Sequence, residues 1–298
     1  MMRLRRKRQG HGVPSGIVLH SRGGIGNQLF CTLAALSLAD KRSCGLWIDP
    51  SQHRFTPHLP FLINQLIAKA PKGLSSSISC LPEPAGQIRR TLLKLEIPKK
   101  CSFAESSFRY SQTLYSVPIG SCIIGYFQSW RYLANVSETR KTEFGLALAR
   151  MAINPQTFDK RDIVIHVRRG DYTHPGVREI HGVLPYQYYS RAITHLRETG
   201  QSGTVWAISE NKLTDLNELE QLIGTRVVQL AATSLWTDLQ TLTAAPALVI
   251  ANSTFSWMAG WFNPHQQNVV APSPWFLTNE YDTSDLIPPH WHTVKHGF

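Results

Sequence analysis

Short apolar runs alternate with helical apolar patterns along most of the chain. An apolar run beside glycine or polar turn residues predicts a buried strand, and apolar residues three and four apart predict a helix. The predicted strands are 17–19, 46–48, 121–127, 162–167, 204–209, 226–230, 247–251 and 268–271, and the predicted helices are 29–40, 137–151, 186–198, 213–223, 235–245 and 257–262. The proline-rich stretch 51–120 predicts irregular structure with short helices.

This alternation predicts an α/β fold in which parallel sheets are covered by helices on both faces. We expect a basic flexible tail at 1–15, an N-terminal α/β domain at 16–150 and a C-terminal Rossmann-like domain at 151–298. Ligands of such folds bind beyond the carboxyl ends of the strands, so the informative loops are those that follow strands.

The charge of the chain indicates an anionic partner. Lys and Arg number 31 against 20 Asp and Glu, which gives a formal net charge of +11. Nucleic acid, a phosphorylated small molecule or an anionic membrane surface would each fit that charge. With 42% hydrophobic and 17% charged residues, the chain is too apolar to be disordered, and it has no apolar run long enough for a transmembrane helix.

The five cysteines are scattered and form no CxxC motif, which favours a reducing compartment over a disulfide framework or a zinc site. Residues 1–8 carry five basic residues but no apolar run follows, so no signal peptide is expected. This segment is interpreted either as a solvated tail or as a weak anchor to anionic lipid. His290, His292 and His296 are expected in a frayed C-terminus rather than in a metal site.

Three loops that follow predicted strands suit an anion. The first, RGGIGNQ at 22–28, combines glycines that allow close backbone approach with the start of a helix. The third, NSTFS at 252–256, is expected as a turn whose hydroxyl and N–H groups precede a helix rich in tryptophan. Taken alone, each of these two loops fits a tight turn or a plain helix cap equally well.

The second loop, HVRRGDY at 166–172, carries the strongest signal. Of its adjacent arginines, one can grip a phosphate in bidentate fashion while the other holds an acidic group or a carbonyl. Asp171 can orient an arginine or act as a base. Together, the three loops predict a diphosphate held between two domains, as in a nucleotide-sugar transferase. The sequence has no DxD pair beside a strand, so the arginines would neutralise the leaving diphosphate in place of a metal.

These segments together resemble glycosyltransferase family 11, the α-1,2-fucosyltransferases. The resemblance covers most of the chain from Gly16 to Phe276, and the pairing of HVRRGD with NSTFSW is its most specific part. The matching segments are RGGIGNQLF at 22–30, GYFQSW at 125–130, HVRRGDY at 166–172, HGVLPYQYY at 181–189, IANSTFSWMAGWF at 250–262 and APSPWF at 271–276.

The resemblance implies a GT-B-like fold, with two Rossmann-like domains and a cleft between them. It implies that L-fucose passes with inversion from GDP-β-L-fucose to the 2-hydroxyl of a terminal β-galactoside, without a metal or other cofactor. The N-terminal domain would then face the acceptor, and the C-terminal domain would bind the GDP-sugar. The open alternatives are a transferase of the same fold that uses another nucleotide sugar, and a basic nucleic-acid-binding protein.

By position, the resemblance assigns the β-phosphate to Arg168, which with Asp171 forms the expected catalytic pair. The implied GDP-fucose site comprises His166, Arg168, Arg169, Asn252, Ser253, Thr254 and Ser256, and the implied acceptor side of the cleft comprises Gly24, Gly26, Asn27, Gln28 and Asp49. Asp171 and Asp49 are both candidates for the base.

Two segments depart from the family pattern. Ser209-Glu210-Asn211 stands where a Ser-Asp-Asp-like turn is usual, and Met258 follows Trp257 where a second tryptophan is usual. Without a membrane anchor, the chain resembles a bacterial, cytoplasmic member that acts on a lipid-linked surface oligosaccharide. Residues 1–8 would provide peripheral contact with the inner face of the plasma membrane.

Overall fold

The computed structural model describes residues 16–51, 61–81, 102–278 and 280–296, without the side chains of Asp171 and Thr173. Across these residues, eleven strands form two parallel sheets, one of five strands and one of six. No helix in this part of the chain is long and apolar enough to cross a membrane. The predicted α/β fold with two Rossmann-like units is confirmed.

The first sheet is built around its first strand. Its strands are β1 (Gly16–His20), β2 (Gly45–Asp49), β3 (Ile78–Cys80), β4 (Phe103–Ala104) and β5 (Cys122–Ile124), in the order β3-β2-β1-β5-β4. The helices of this half are α1 (Ile25–Lys41), α2 (Ile63–Lys69), α3 (Lys72–Ser77), α4 (Trp130–Ala134) and α5 (Glu138–Met151). Because β1 is central, the loop between β1 and α1 lies at the middle of the sheet's carboxyl edge.

The second sheet has a topological switch point beside its first strand. Its strands are β6 (Ile163–His166), β7 (Val205–Ile208), β8 (Val227–Gln229), β9 (Leu248–Val249), β10 (Val269–Ser273) and β11 (His292–Lys295), in the order β11-β10-β9-β6-β7-β8. The helices are α6 (Pro175–His181), α7 (Tyr186–Glu198), α8 (Leu216–Ile223), α9 (Leu235–Thr243) and α10 (Thr254–Phe262). The chain builds outward from β6 to β8, then returns to the other side of β6, which opens a crevice at its carboxyl end.

The two sheets share one hydrophobic core. Helix α1 is buried along nearly its whole length, and its Phe30 ring lies 4.4 Å from the Trp257 ring of α10. This core joins one face of the second sheet to the first unit, while the opposite face packs on α7 through Tyr188 and Tyr189. The relative position of the two units is therefore set by buried side-chain packing.

Helix α1 closely approaches the start of α10 at Gly26. A Cβ atom at this position would overlap the main chain of Thr254 and lie 2.6 Å from the amide nitrogen of Phe255. A glycine is required because no side chain fits between the two helix starts. The first turns of α1 and α10 are thereby held side by side.

Most predicted elements occur within a few residues of their predicted limits, and the helix predicted at 186–198 is α7. The predicted domain boundary near residue 150 falls at the end of α5, after the last strand of the first sheet and before the first strand of the second. The predicted basic tail lies outside the described residues.

The sequence interpretation was wrong in three segments. The stretch expected to be irregular contains β3 and β4, edge strands of three and two residues that are too short to show a periodic pattern. The expected frayed C-terminus is instead β11, which pairs with β10 although only Val294 among its residues is buried. Helix α10 begins at Thr254 inside the predicted turn, because Ser253 occupies the N-cap position.

The Gly26 contact predicts a position-specific loss of stability. Gly26→Ala should lower the free energy of unfolding by ~1–3 kcal/mol, since the added methyl group meets main chain that cannot rotate away. Gly45→Ala is the matched control, because a Cβ at Gly45 meets nothing within 4 Å. Urea unfolding of both variants measures the difference, and equal stabilities would contradict the close approach.

Candidate active site

A cavity of about 730 Å³ lies between the carboxyl edges of the two sheets. Segments after β1, β2, β4 and β5 line it from the first unit, and loops after β6, β7, β8, β9 and β10 line it from the second. Eight residues predicted to form the site line this cavity. They are Gly24, Gly26, Asn27, His166, Arg168, Asn252, Ser253 and Thr254.

Arg168 occupies the switch point just after β6. Its Nη1 atom lies 3.2 Å from Oε2 of Glu210, which follows the neighbouring strand β7, and its guanidinium lies 5.5 Å from the centre of the Tyr172 ring. The Arg168 side chain is 25% exposed and that of Glu210 is 55% exposed. An anionic ligand in the cavity can therefore reach Arg168 when the Glu210 carboxylate turns aside.

Two helix N-termini open into the same cavity. The N-cap residues are Gly24 for α1 and Ser253 for α10, and neither helix receives a side-chain cap hydrogen bond. The first N–H groups of a helix have no partner within the helix and attract anions. The first turns of α1 and α10 both line the cavity, so the two units together present these N–H groups towards the space beside Arg168.

Two buried polar atoms beside Arg168 lack partners within the described residues: Nδ1 of His166 and Oγ of Ser209. Both residues line the cavity at the ends of the adjacent strands β6 and β7. Burial, followed by the nearby Arg168 charge, lowers the pKa of His166 to about 3, so its imidazole is neutral. A buried polar atom without a partner costs free energy, which a hydrogen-bonding ligand would recover.

The cavity differs on the two sides of Arg168. On the β7–β8 side it is lined by Glu210, Thr233 and Asp238, and the Thr233 hydroxyl donates to Oδ1 of Asp238 at 2.6 Å.

On the β9–β10 side it is lined by an aromatic wall, defined here as Phe108, Tyr126, Phe276 and Tyr281. Phe108 is the centre of this wall, with its ring 6.2 Å from Tyr126, 5.4 Å from Phe276 and 5.4 Å from Tyr281.

Gln28 and Ser256 do not line the cavity, although the family resemblance implies them there. Oε1 of the buried Gln28 accepts hydrogen bonds from the N–H groups of Leu62 and Ile63 at 2.8 and 3.0 Å. The Ser256 hydroxyl is buried inside α10 and lies 3.3 Å from the carbonyl oxygen of Ser253. Both side chains are occupied in holding loops in place.

The two arginines of HVRRGDY point in different directions. Arg169 donates from Nη1 to the carbonyl oxygen of Leu184 at 2.8 Å and stacks over the Tyr186 ring, outside the cavity lining. It therefore fixes the loop before α7. The Asp171 side chain lies outside the described part of the chain, so its predicted role stays a prediction.

Asp49 is buried at the end of β2 and does not line the cavity. Its Oδ2 lies 2.6 Å from Nδ1 of His20, and both its oxygens accept from Ser51. Burial acts to raise the pKa of Asp49, but the hydrogen bonds from His20 and Ser51 outweigh it and hold this pKa below its ordinary value. A carboxylate held in this way is poorly placed to act as a base.

A residue that the sequence interpretation missed, Glu105, holds the loop after β5. Its Oε2 accepts from the N–H groups of Tyr126 and Phe127 at 2.7 and 2.8 Å. Phe127 is buried with φ of 51°, a conformation that costs a bulky residue ~1–3 kcal/mol. The next residue, Gln128, donates to Oδ1 of Asn27 at 2.9 Å and so links this loop to the start of α1.

Neither Glu105 nor Asp238 belongs to a recognisable motif. Glu105 follows a two-residue strand, and Asp238 lies in the first turn of α9. By contrast, Tyr126 and Phe276 lie in segments that matched the family, although nothing in a single sequence says that the two rings share one wall. Among the described residues, no group of three or more His, Cys, Asp and Glu side chains is placed to hold a metal ion.

Two parallel α/β units that face each other across a cleft are the arrangement of the GT-B fold. The model of glycosyl transferase family 11 matches residues 112–295, more than half of the chain. The chain belongs to this family, so the nucleic-acid-binding alternative is not retained.

Two curated relatives and one solved structure illustrate the similarity. The chain is 25% identical over 289 residues to an alpha-1,2-colitosyltransferase of Escherichia coli, with 94% of this chain and 99% of the relative covered. It is 31% identical over 130 residues to the O-antigen biosynthesis glycosyltransferase WbnK of Escherichia coli, with 43% and 42% covered. The structure of POFUT1 in complex with GDP covers 96% of this chain and 99% of that chain, at 13% identity and a TM-score of 0.43.

The buried carboxyl of Glu105 predicts a pH-dependent stability difference. Burial raises its pKa from 4.5 to about 7, against the effect of its two N–H donors and Arg22. The folded protein therefore holds the Glu105 proton more tightly than the unfolded chain does. As the pH rises from 4.5 to about 7, the wild type loses the stability that this proton contributes. Glu105→Gln keeps an acceptor oxygen but does not titrate, so it should gain ~1–3 kcal/mol relative to wild type across the window.

Urea unfolding at pH 5, 6, 7 and 8 measures this difference. Glu138→Gln, at a carboxyl that is 86% exposed, controls for the change in net charge. A Glu105→Gln difference that stays constant with pH would contradict the assignment.

Proposed function

We propose that the protein transfers L-fucose from GDP-β-L-fucose to the 2-hydroxyl of a terminal β-galactoside in an oligosaccharide, with inversion at the anomeric carbon. The observation that carries this proposal is the position of Arg168, which faces the N-termini of α1 and α10 across one cavity. Family membership supplies the reaction class, and the motif resemblance to α-1,2-fucosyltransferases supports the donor sugar and the linkage.

In the proposed reaction, the acceptor oxygen forms a bond to C1 of the donor sugar while the bond from C1 to the β-phosphate oxygen breaks. GDP leaves with the bonding electrons, and the hydroxyl proton passes to a base or to water. Negative charge grows on the diphosphate in the transition state, next to the Arg168 guanidinium and the free helix N–H groups. Groups that stabilise charge more strongly in the transition state than in the ground state raise the rate.

We propose that no metal or other cofactor takes part. The positive charge of Arg168 and the N–H groups after Gly24 and Ser253 would together stabilise the leaving diphosphate. Glu210, the present ion-pair partner of Arg168, is half exposed and can turn away when the diphosphate binds.

The second candidate is transfer of a colitosyl residue, favoured by the colitosyltransferase relative that matches nearly the whole chain. Colitose is the 3-deoxy counterpart of L-fucose, so both donors present the same anomeric centre and diphosphate to Arg168. A site selective for fucose should use its 3-hydroxyl, and comparison of the two GDP-sugars decides between them.

The acceptor and the location of the enzyme are further parts of the proposal. One relative is named as an O-antigen biosynthesis glycosyltransferase, which supports a lipid-linked surface glycan as the acceptor. We propose that the enzyme works in the cytoplasm, with residues 1–8 as a peripheral contact to the inner face of the membrane. Loss of liposome binding on deletion of residues 1–12 would support this contact, and unchanged binding would contradict it.

The role of Arg168 predicts a loss of rate with little loss of stability. With GDP-fucose and lactose in the presence of EDTA, wild type should form 2-linked fucosyl-lactose, and Arg168→Ala should lower kcat by roughly 10²–10³-fold. Arg168→Lys should recover part of the rate, because it restores the charge without the bidentate geometry. Arg150→Ala, an arginine that bonds the Lys69 carbonyl away from the cavity, is the control.

The product is followed by chromatography, and donor cleavage is followed separately by GDP release. Release of GDP without a product would retain the donor and overturn lactose as acceptor. Release from GDP-colitose, GDP-mannose or a UDP-sugar but not from GDP-fucose would overturn the fucosyl assignment. Equal rates for Arg168→Ala and wild type would overturn the role of Arg168.

A further inference from the structure

We propose that the aromatic wall of Phe108, Tyr126, Phe276 and Tyr281 is the platform on which the terminal pyranose of the acceptor stacks, and that the nucleoside lies on the opposite side of Arg168. This inference rests on the proposed glycosyl transfer in the cavity. It goes further because it assigns the acceptor to one side of the cavity and the nucleoside of the donor to the other.

The strand order fixes which groups lie on which side of Arg168. In the order β11-β10-β9-β6-β7-β8, β6 ends at His166, two residues before Arg168, and neighbouring strands lie ~4.8 Å apart. Glu210 follows β7 on one side, whereas Phe276 follows β10 on the other. A diphosphate bound at Arg168 therefore has a β7–β8 flank and a β9–β10 flank. We place its nucleoside on the first flank and its sugar towards the second.

The β7–β8 flank is suited to a nucleoside. It presents the buried Ser209 hydroxyl, which lacks a partner within the described residues, together with the carboxylates of Glu210 and Asp238. Ribose hydroxyls and the N–H groups of a purine base are hydrogen-bond donors that such carboxylates accept.

The β9–β10 flank offers aromatic rings instead, of which Phe276 is buried and Phe108 and Tyr126 are half-buried. Tyr281 is 38% exposed and contacts both Phe108 and Phe276, so its ring forms the open rim of the wall. Aromatic faces carry negative charge density and attract C–H groups that carry partial positive charge. The axial 4-hydroxyl of a galactopyranose leaves one ring face covered by C–H groups alone, which is the shape that such a wall accepts.

The wall extends to the reaction centre through a continuous row of rings. The Arg168 guanidinium lies 5.5 Å from the Tyr172 ring, Tyr172 lies 4.8 Å from His181, and His181 lies 5.1 Å from Phe276. This row leads from Arg168 to the wall along one side of the cavity, so a sugar stacked on the wall would lie on the same side of the cavity as the row. Because Phe108 and Tyr126 come from the first unit and Phe276 and Tyr281 from the second, the acceptor would bind at the seam between them.

The test compares Tyr281→Ala with Tyr281→Phe, which keeps the ring. Binding of lactose to the GDP-loaded protein is measured by saturation-transfer NMR and titration, and GDP binding is measured by calorimetry. Tyr281→Ala should raise the lactose Kd about tenfold, which corresponds to about 1.4 kcal/mol, while the GDP Kd stays within about twofold. Tyr281→Phe should match wild type in both, and Asp238→Asn should change only the GDP Kd.

The reverse pattern, in which Tyr281→Ala raises the GDP Kd and leaves the lactose Kd unchanged, would overturn the proposal, because the wall would then bind the guanine base. Methyl β-glucoside, methyl α-mannoside and methyl N-acetyl-β-glucosaminide are tested beside lactose. If Tyr281→Ala weakens the binding of one of these sugars while lactose does not bind, the wall is supported and the galactoside part of the proposed function is overturned. If Tyr281→Ala and Tyr281→Phe bind each of the four sugars equally, the proposal that the wall binds a sugar is overturned.

Discussion

The rest of the structure depends on the packing of α1 against α10. The two helices meet at Gly26, where a side chain would overlap the main chain of Thr254, and the Phe30 and Trp257 rings extend the contact into the shared core. Each helix comes from a different sheet, yet both start at the same cavity. Buried packing therefore brings the two sets of N–H groups together, and in the proposed function that arrangement would help to hold the diphosphate.

The second constraint is the position of Arg168 at the switch point of the six-stranded sheet. The return of the chain from β8 to β9 places Arg168 between an acidic flank and an aromatic one. Glu210 balances its charge in the absence of substrate. In the proposed function, the diphosphate takes the place of Glu210, so that donor binding exchanges one ion pair for another without leaving a buried charge unpaired. This exchange limits the desolvation cost of holding an arginine at the base of a cleft.

Local pattern was enough to predict the strands that are buried on both faces and the long helices, because their apolar content is set by position in a layered fold. It predicted Arg168 and the two loops that lead into α1 and α10, since those loops follow such strands directly, but both helices begin three or four residues earlier than predicted. It did not predict β11, which has one buried side chain, or Glu105, whose role depends on the strained backbone of Phe127 in a distant loop. Contacts between separate loops leave no periodic signal in a sequence.

The central claim is that one cleft separates donor and acceptor on either side of Arg168, and a crystal structure with GDP and lactose tests it most directly. The account predicts the diphosphate between Arg168 and the N–H groups at Gly26 and Thr254, with the ribose towards Glu210 and a galactose ring against Tyr281. A guanine ring on the aromatic wall, or a diphosphate bound away from Arg168, would contradict it.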